Sequence, residues 1–296
     1  MSLLVASALL DALGALAAAA RAAARGPFRG DSPGAGEGGG SPATLAVCAG
    51  EATLRFYDGD SGVEAKADGS PVTKADLASE AVILPGLARL APGVPVVSEE
   101  SADRAPATGA RFFLVDPLDG TREFISRNGE FTVNIALIEN GAPVLGVVQA
   151  PALRRLWIGA ARLGAWEIEA DGARRVLKTR PAPTALTAIG SRSHGGAETA
   201  RWLQRFSVER FVAAGSSLKF CLIAAGEADV YPRHGRTMEW DTAAGDAVLR
   251  AAGGLVTRFD GRPLDYGKRD QGHDADFANP HFVAFGDPVL ARAATA

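Results

Sequence analysis

Cysteine is scarce in this chain, with two residues in 296, Cys48 and Cys221. They form neither a disulfide framework nor a metal-ligand spacing, and the simpler expectation is two buried thiols in a reducing cytosol. Histidine is nearly as sparse, with four residues and no cluster, so neither a cysteine nucleophile nor an imidazole-rich metal site is evident. A surplus of one charge is also missing. The chain has 31 Lys and Arg against 34 Asp and Glu, a formal net charge of −3. It therefore has no global attraction for nucleic acid or an anionic membrane, and any affinity for phosphate has to be local and small-molecule in scale. Core-forming residues are plentiful: 47% of the chain is hydrophobic and 22% charged, enough for one large or two ordinary globular domains.

Positive charge is also missing at the amino terminus. Residues 2–25 are dominated by Ala and Leu, with Asp11, Arg21 and Arg25 as their only charges. No basic side chain precedes the apolar stretch, which disfavours a secretory signal, and Asp11 with the weak hydrophobicity of Ala argues against a membrane span. Gly26-Pro27 opens a Gly-, Pro- and Ser-rich stretch to Pro42 that is predicted not to fold. A loose helical extension is the preferred reading of the first part, with an organelle transit peptide and a membrane-surface helix as alternatives. A cytoplasmic protein is expected, at most peripheral at the inner membrane, with its oligomeric state open.

The chain is organised around residues 112–121, where an apolar run of high β-propensity leads into two carboxylates. Pro117 lacks an N–H, so the strand is predicted to stop at Asp116. Gly120 permits a turn, and Asp116-Pro117-Leu118-Asp119-Gly120 can aim two carboxylates and a peptide carbonyl at one point. Clustered oxygen ligands suit a hard cation such as Mg²⁺. Taken alone, the segment fits an ordinary surface turn about as well. Two other segments change the balance: residues 94–100 are an apolar strand ending in Glu99 and Glu100, and Asp241 stands where an Ala-rich helix begins. Three carboxylates at the ends of three apolar elements can assemble one multi-metal site, and the chemistry this favours is metal-assisted attack of water on a phosphate ester.

Elsewhere the periodicity predicts a helix over 45–57, with Leu45, Ala49, Ala52 and Phe56 on one face. A strand over 63–67 and a turn at Asp68-Gly69-Ser70 follow. Thr73 and Asp76 can cap the next helix, which runs through Ile83 towards Leu90 and is expected to kink or break near Leu84 because of Pro85-Gly86. Residues 131–138, the turn Glu139-Asn140-Gly141 and residues 144–149 read as a hairpin, with strands near 156–158 and 165–168. Imperfect alternation in 131–138 predicts a sheet covered on both faces. After about Lys178, strands over 187–191, 208–212 and 228–231 alternate with helices over 198–205 and 219–226, an α/β pattern. The predicted division is residues 1–42 outside the fold, an antiparallel-sheet α+β half over 43–182, and an α/β half over 183–296, with the boundary at Pro181-Ala182-Pro183. In the second half, Ala214-Gly215-Ser216-Ser217-Leu218-Lys219 is a small-residue loop opening a helix whose N–H groups can receive phosphate.

The motifs SEE (98–100), LVDPLDGTREF (114–124), EFTVNIALI (130–138) and WDTAAG (240–245) together resemble a known family, the Mg²⁺-dependent, lithium-sensitive phosphatases of the inositol monophosphatase superfamily. Within it they resemble the 3′(2′),5′-bisphosphate nucleotidase branch, over about residues 43–285. The resemblance implies a layered α-β-α-β-α sugar-phosphatase fold and two or three Mg²⁺ ions per site. It implies Glu99, Asp116, the Leu118 carbonyl, Asp119 and Asp241 as metal ligands, with Asp116 bridging two ions. Thr121, oriented by Asp76, would help deprotonate water, and Glu99 shares in the catalysis. Gly120, Thr121, Ser193, His194, Ser216, Lys219, Arg233 and Asp241 would hold the substrate. The implied reaction is hydrolysis of 3′-phosphoadenosine 5′-phosphate to AMP and phosphate, a clearing step in sulfur assimilation. The alternatives are an inositol or sugar monophosphatase on the same metals and a non-catalytic Li⁺/Mg²⁺-responsive binding protein.

Overall fold

The computed structural model describes residues 41–57, 59, 62–65, 71–169, 173–191 and 196–295. Ser41 and Pro42 start the described chain with a helix signal. The Ser41 hydroxyl accepts from the Thr44 N–H at 3.2 Å, and Pro42 fills the first helical position, where no N–H is needed. Helix α1 (Pro42–Leu54) therefore begins ahead of the expected Leu45. It buries Leu45, Ala46 and Ala49. Cys48 is exposed, so the expectation of two buried thiols holds for Cys221 alone. The buried face of α1 runs through 46, 49 and 53 as well as 45 and 52, and the 3.6-residue period puts position 48 at its edge, about 100° from its centre.

Strands β1 (Glu64–Ala65) and β2 (Pro71–Val72) pair antiparallel; the turn expected at 68–70 lies outside the described residues. Helix α2 (Lys74–Leu90) follows, opened by a capping box between Thr73 and Asp76. Of the kink or break expected near Leu84, the break does not occur: α2 runs unbroken through Pro85. Tertiary packing outweighs the lost hydrogen bond here: Ile83 and Leu87 are buried, and Gly86 lies so close to α1 that a Cβ would come 2.3 Å from Leu45 Cδ2.

The first sheet contains β3 (Val96–Ser98), β4 (Arg111–Asp119), β5 (Thr132–Glu139), β6 (Ala142–Ala150), β7 (Arg155–Ala160), β8 (Gly164–Ile168) and β9 (Arg174–Leu177), in that spatial order. The pair β3–β4 is parallel and the others are antiparallel. The hairpin between β5 and β6 closes on Asn140 and Gly141, both with positive φ, as a two-residue hairpin turn requires. Along β5, Val133, Ile135 and Leu137 pack with α1 and α2, while Ala136 and Ile138 face the other core. The sheet is covered on both sides, as the weak alternation predicts. One expectation fails: β4 does not stop at Asp116. Asp116 pairs with Asn134 and Asp119 with Thr132, so β4 spends one residue more than β5 across Pro117 and Leu118. This β-bulge takes the proline out of the ladder and lets the strand resume.

The short helix α3 (Thr121–Ile125) leaves the end of β4. The second sheet follows from β10 (Leu186–Gly190), α4 (Ala197–Leu203), β11 (Val208–Ala213), α5 (Leu218–Ala224), β12 (Val230–Arg233), a 3₁₀ turn at Glu239–Asp241, α6 (Ala243–Ala251), β13 (Leu255–Arg258), β14 (Phe282–Phe285) and α7 (Pro288–Thr295). Its order is β11-β10-β12-β14-β13; the first three strands are parallel, and β14 runs antiparallel to both its neighbours. The central core joins Leu114 and Val148 of the first sheet to Phe220 and Val248 of α5 and α6, and these to Phe282 and Ala284 of the second sheet. Trp202 and Leu203 of α4 and Leu290 of α7 close the outer face on Val230 and Phe285. The layers run α-β-α-β-α. Helix α6 sits directly on the first sheet, since a Cβ on Gly146 of β6 would come 2.2 Å from the Ala244 carbonyl, and the 3₁₀ turn that precedes it lies against β4 and β5. Among the described residues no helix is long and apolar enough to cross a membrane.

Candidate active site

Parallel pairing of Ser98 with Val115 sets Glu99, in the 3₁₀ turn after β3, beside Asp116 on β4. The 3₁₀ turn before α6 brings Asp241 to the same point, and ligand atoms of Glu99, Asp116 and Asp241 lie within 4.8 Å of one another. Asp116 Oδ1 accepts from the Leu118 N–H at 3.0 Å, and Asp241 Oδ2 from the Met238 N–H at 2.8 Å. Leu118 itself sits in the bulge between the two acids, its side chain buried with Phe124 and Phe131. Buried Glu239 steadies the turn by accepting from the Gly267 and Lys268 N–H groups, and Asn279 donates to the Met238 carbonyl and the Thr242 hydroxyl.

Burial pushes Asp116 well above the carboxylate range, helped by repulsion from Glu99, Asp119 and Asp241. Burial raises Asp241 in the same way, with repulsion from Asp119 and Glu99. Asp119 is pushed up to about 6 by burial, against the opposing pull of Lys219 and a Ser217 hydrogen bond. Such a cluster is unfavourable with its charges bare, so each acid must take up a proton or share a cation. Its donors are all oxygen, and Mg²⁺ prefers carboxylate oxygen, so the residues fit a hard divalent ion.

Asp119 and Asp241 are linked through Ser217, a residue not singled out from the sequence. Its hydroxyl lies 2.7 Å from the Asp241 carbonyl, 3.0 Å from Asp119 Oδ2 and 2.9 Å from Asn134 Nδ2. Asn134 is the polar residue in the otherwise apolar run of β5, a signal that could have marked it. Glu130 is a third omission; it accepts from the Gly215 N–H at 2.8 Å and ties down the loop that carries Ser216.

Gly120, at φ 90°, turns the chain out of β4 so that Thr121 opens α3 on the cleft. Asp76 is buried beneath: its Oδ2 accepts from the Thr73 N–H at 2.8 Å and the Thr73 hydroxyl at 2.6 Å, and its charge reaches Asp116. The cleft has a volume of about 320 Å³, and Glu99, Asp119, Thr121, Ser216, Lys219 and Arg233 are among the residues that line it. Lys219 is buried and donates to the Ala214 and Ser216 carbonyls. Burial lowers its pKa to about 8 despite the attraction of Asp119. Ser216 holds the left-handed φ of 46°, and its buried hydroxyl has no hydrogen-bond partner among the described residues. The Arg233 Nε–H is likewise buried without an acceptor, while Nη2 donates to the Arg236 carbonyl at 3.2 Å. Trp240 packs against Phe277 in the core. Ser193 and His194 lie outside the described residues.

An all-carboxylate cluster sharing a small cleft with an ammonium and a guanidinium is the equipment of metal-assisted phosphate-ester chemistry. The chain belongs to the inositol monophosphatase family, whose sequence model matches residues 43–280. It is 49% identical over 242 residues to the 3′(2′),5′-bisphosphate nucleotidase CysQ of Escherichia coli K12, covering 80% of this chain and 95% of the relative. Identity to CysQ of Salmonella typhimurium is 50% over the same length. Among solved structures, CysQ from Bacteroides thetaiotaomicron is 36% identical with a TM-score of 0.68, covering 81% of this chain and 94% of that one. An inositol monophosphatase from Anabaena is 26% identical with a TM-score of 0.66, covering 84% and 90%.

Proposed function

We propose that this chain is a Mg²⁺-dependent 3′(2′),5′-bisphosphate nucleotidase that cleaves the 3′-phosphate of 3′-phosphoadenosine 5′-phosphate, giving AMP and phosphate. The reading rests on near-50% identity to CysQ nucleotidases over almost their whole length. The observation within the chain that carries it is the pair Lys219 and Arg233 in the same cleft as the carboxylates. A substrate with two phosphates needs one place for reaction and another for a group that is only held.

In this reading Glu99, Asp116, the Leu118 carbonyl, Asp119 and Asp241 would hold two or three divalent ions, which would supply an acidified water and neutralise charge on the leaving oxygen. Water oxygen attacks phosphorus, the bond from phosphorus to the 3′-oxygen breaks, and that oxygen leaves as a hydroxyl after taking a proton from solvent water, which balances the proton the attacking water gives up. Thr121, oriented by Asp76, accepts a hydrogen bond from the water and passes its proton on, since a threonine hydroxyl without a carboxylate behind it is too weak a base. Lys219 and Arg233 grip the phosphate that stays, with Gly120 and Ser216 against the substrate. Ser193 and His194 are assigned to the nucleoside on sequence alone. Residues 43–182 would form the metal-binding half and 183–296 the substrate-binding half of a cytoplasmic enzyme that clears a by-product of sulfur assimilation.

The test is kcat/KM for the bisphosphate nucleotide and for inositol 1-phosphate, in wild type and Arg233→Ala at fixed Mg²⁺ and salt. A lost charge-assisted contact is worth about 1.5–3 kcal/mol. The bisphosphate should therefore lose roughly 10- to 150-fold, mainly in KM, while the monophosphate is little changed. A wild-type preference for the inositol phosphate would favour the monophosphatase reading, and no turnover of either at saturating Mg²⁺ would favour a binding protein.

A further inference from the structure

The second sheet carries another cavity on the face turned away from the cleft. Along β12, Tyr231 and Arg233 line the cleft, whereas Val230 packs in the outer core and His234, just past the strand end, lines a separate cavity of about 770 Å³. The two cavities share no lining residue.

Aromatic rings form its floor. Trp202 of α4 meets Phe259 edge-on with ring centres 5.5 Å apart, and the His234 imidazole lies 4.3 Å from Phe259 at 36°. The Thr199 hydroxyl holds His234 Nδ1 at 3.1 Å. Guanidinium groups form the rim: Arg201 from α4, Arg205 from the turn just past its end, where Nη1 donates to the Ala294 carbonyl at 3.2 Å, and Arg258 and Arg262 from the end of β13 and the turn after it. Arg258 pairs with Asp265 and Arg262 with Asp260. Among the described residues no carboxylate pairs with Arg201 or Arg205, and the Arg258 Nε–H is buried without an acceptor. Glu198 and Asp260 are the acids in the wall, so cations are in surplus there. Guanidinium forks match phosphate oxygens two at a time, and π faces take a flat heterocycle.

We propose that this cavity binds a nucleoside monophosphate, with the base over Phe259 and His234 and the phosphate on Arg201 and Arg205. Occupancy there is independent of the reaction in the cleft. The test labels the four tryptophans, Trp157, Trp166, Trp202 and Trp240, with 5-fluorotryptophan and follows their ¹⁹F resonances, with Trp202 assigned through Trp202→Phe. Trp240 adjoins Asp241 and reports the cleft separately. AMP should shift the Trp202 resonance saturably, with adenosine or inorganic phosphate alone needing at least tenfold higher concentration. In Arg201→Ala/Arg205→Ala, where both replaced side chains are exposed, half-saturation at Trp202 should rise tenfold or more while the Trp240 response, turnover and melting temperature stay as in wild type. A Trp202 resonance that AMP does not move, or moves equally in the double variant, overturns the proposal. Inorganic phosphate as effective as AMP would overturn the nucleotide assignment in favour of a bare anion site.

Discussion

Replacing Ser217 with alanine removes one hydroxyl on which three segments converge. That oxygen lies 2.7 Å from the Asp241 carbonyl, 3.0 Å from Asp119 and 2.9 Å from the Asn134 amide, and the residue is buried. After the change, Asp119 keeps the Asn134 amide at 3.4 Å, a weak contact. Asp119 already stands at about 6 because of its burial, and the Ser217 bond is one of the influences holding it down. A hydrogen bond to a charged group is worth about 1.5–3 kcal/mol, or roughly 10- to 150-fold in an equilibrium. The variant should therefore bind a proton at Asp119 more tightly. Because a metal ion must displace that proton, and Asp119 at about 6 is mostly ionised at pH 7 in wild type, half-saturating Mg²⁺ at pH 7 should rise roughly 2- to 15-fold. At pH 9 Asp119 is ionised in both proteins and the gap should close. The assay is phosphate release against Mg²⁺ concentration at both pH values, with Ser217→Thr restoring the hydroxyl and most of the affinity. An unchanged half-saturation at pH 7 would refute the link between Ser217 and Asp119. A rise of equal size at pH 7 and pH 9 would show displaced ligands instead of a tighter proton.

Asp119→Asn should abolish turnover while the protein stays folded, and without metal at pH 7.5 it should melt at or above wild type, since the amide buries no charge; near-normal kcat at modest Mg²⁺ would remove Asp119 from the metal site. Thr121→Ala should lower kcat by roughly 10²-fold or more with half-saturating Mg²⁺ unchanged; an unaltered kcat takes Thr121 out of the proton path. In the metal-free protein, the rise of Asp119 from 3.8 to about 6 on folding is worth about 3 kcal/mol. With the folded value above the unfolded one, that stability is present below the unfolded value and lost as pH rises through the folded one. Mg²⁺ should therefore raise the melting temperature more at pH 7.5 than at pH 5, and an equal rise at both would contradict the assigned protonation.

Much of the fold was legible because its signals are local. Asn140-Gly141 marks a hairpin whichever sheet it joins, and the imperfect alternation of β5 marks a strand in a sheet covered on both faces. The segments carrying Glu99, Asp116 and Asp241 could be picked out because each acid ends an apolar element, and the fold brings the three together. What was missed depends on distant partners. Pro117 obeys its local rule by leaving the ladder, yet β4 resumes because β5 is still beside it at Thr132. Pro85 would end an isolated helix, but α1 packs across it. Ser217 and Asn134 meet from 83 residues apart, a distance at which spacing carries no information. Strand β9, Arg174-Arg175-Val176-Leu177, is too polar to read as a strand without β8 to pair with.

The bulge at Pro117 and Leu118 has a consequence of parity. Side chains on a regular strand alternate, so residues three apart point to opposite sides of the sheet. By that rule Asp116 and Asp119 could not serve the same site. The one residue that β4 gains over β5 between them adds half an alternation and turns Asp119 back to the side of Asp116. The proline that leaves the ladder is thus what makes an odd spacing behave as an even one. Lengthening or shortening this stretch by a single residue would send one of the two acids through to the opposite face of the sheet, whatever its sequence.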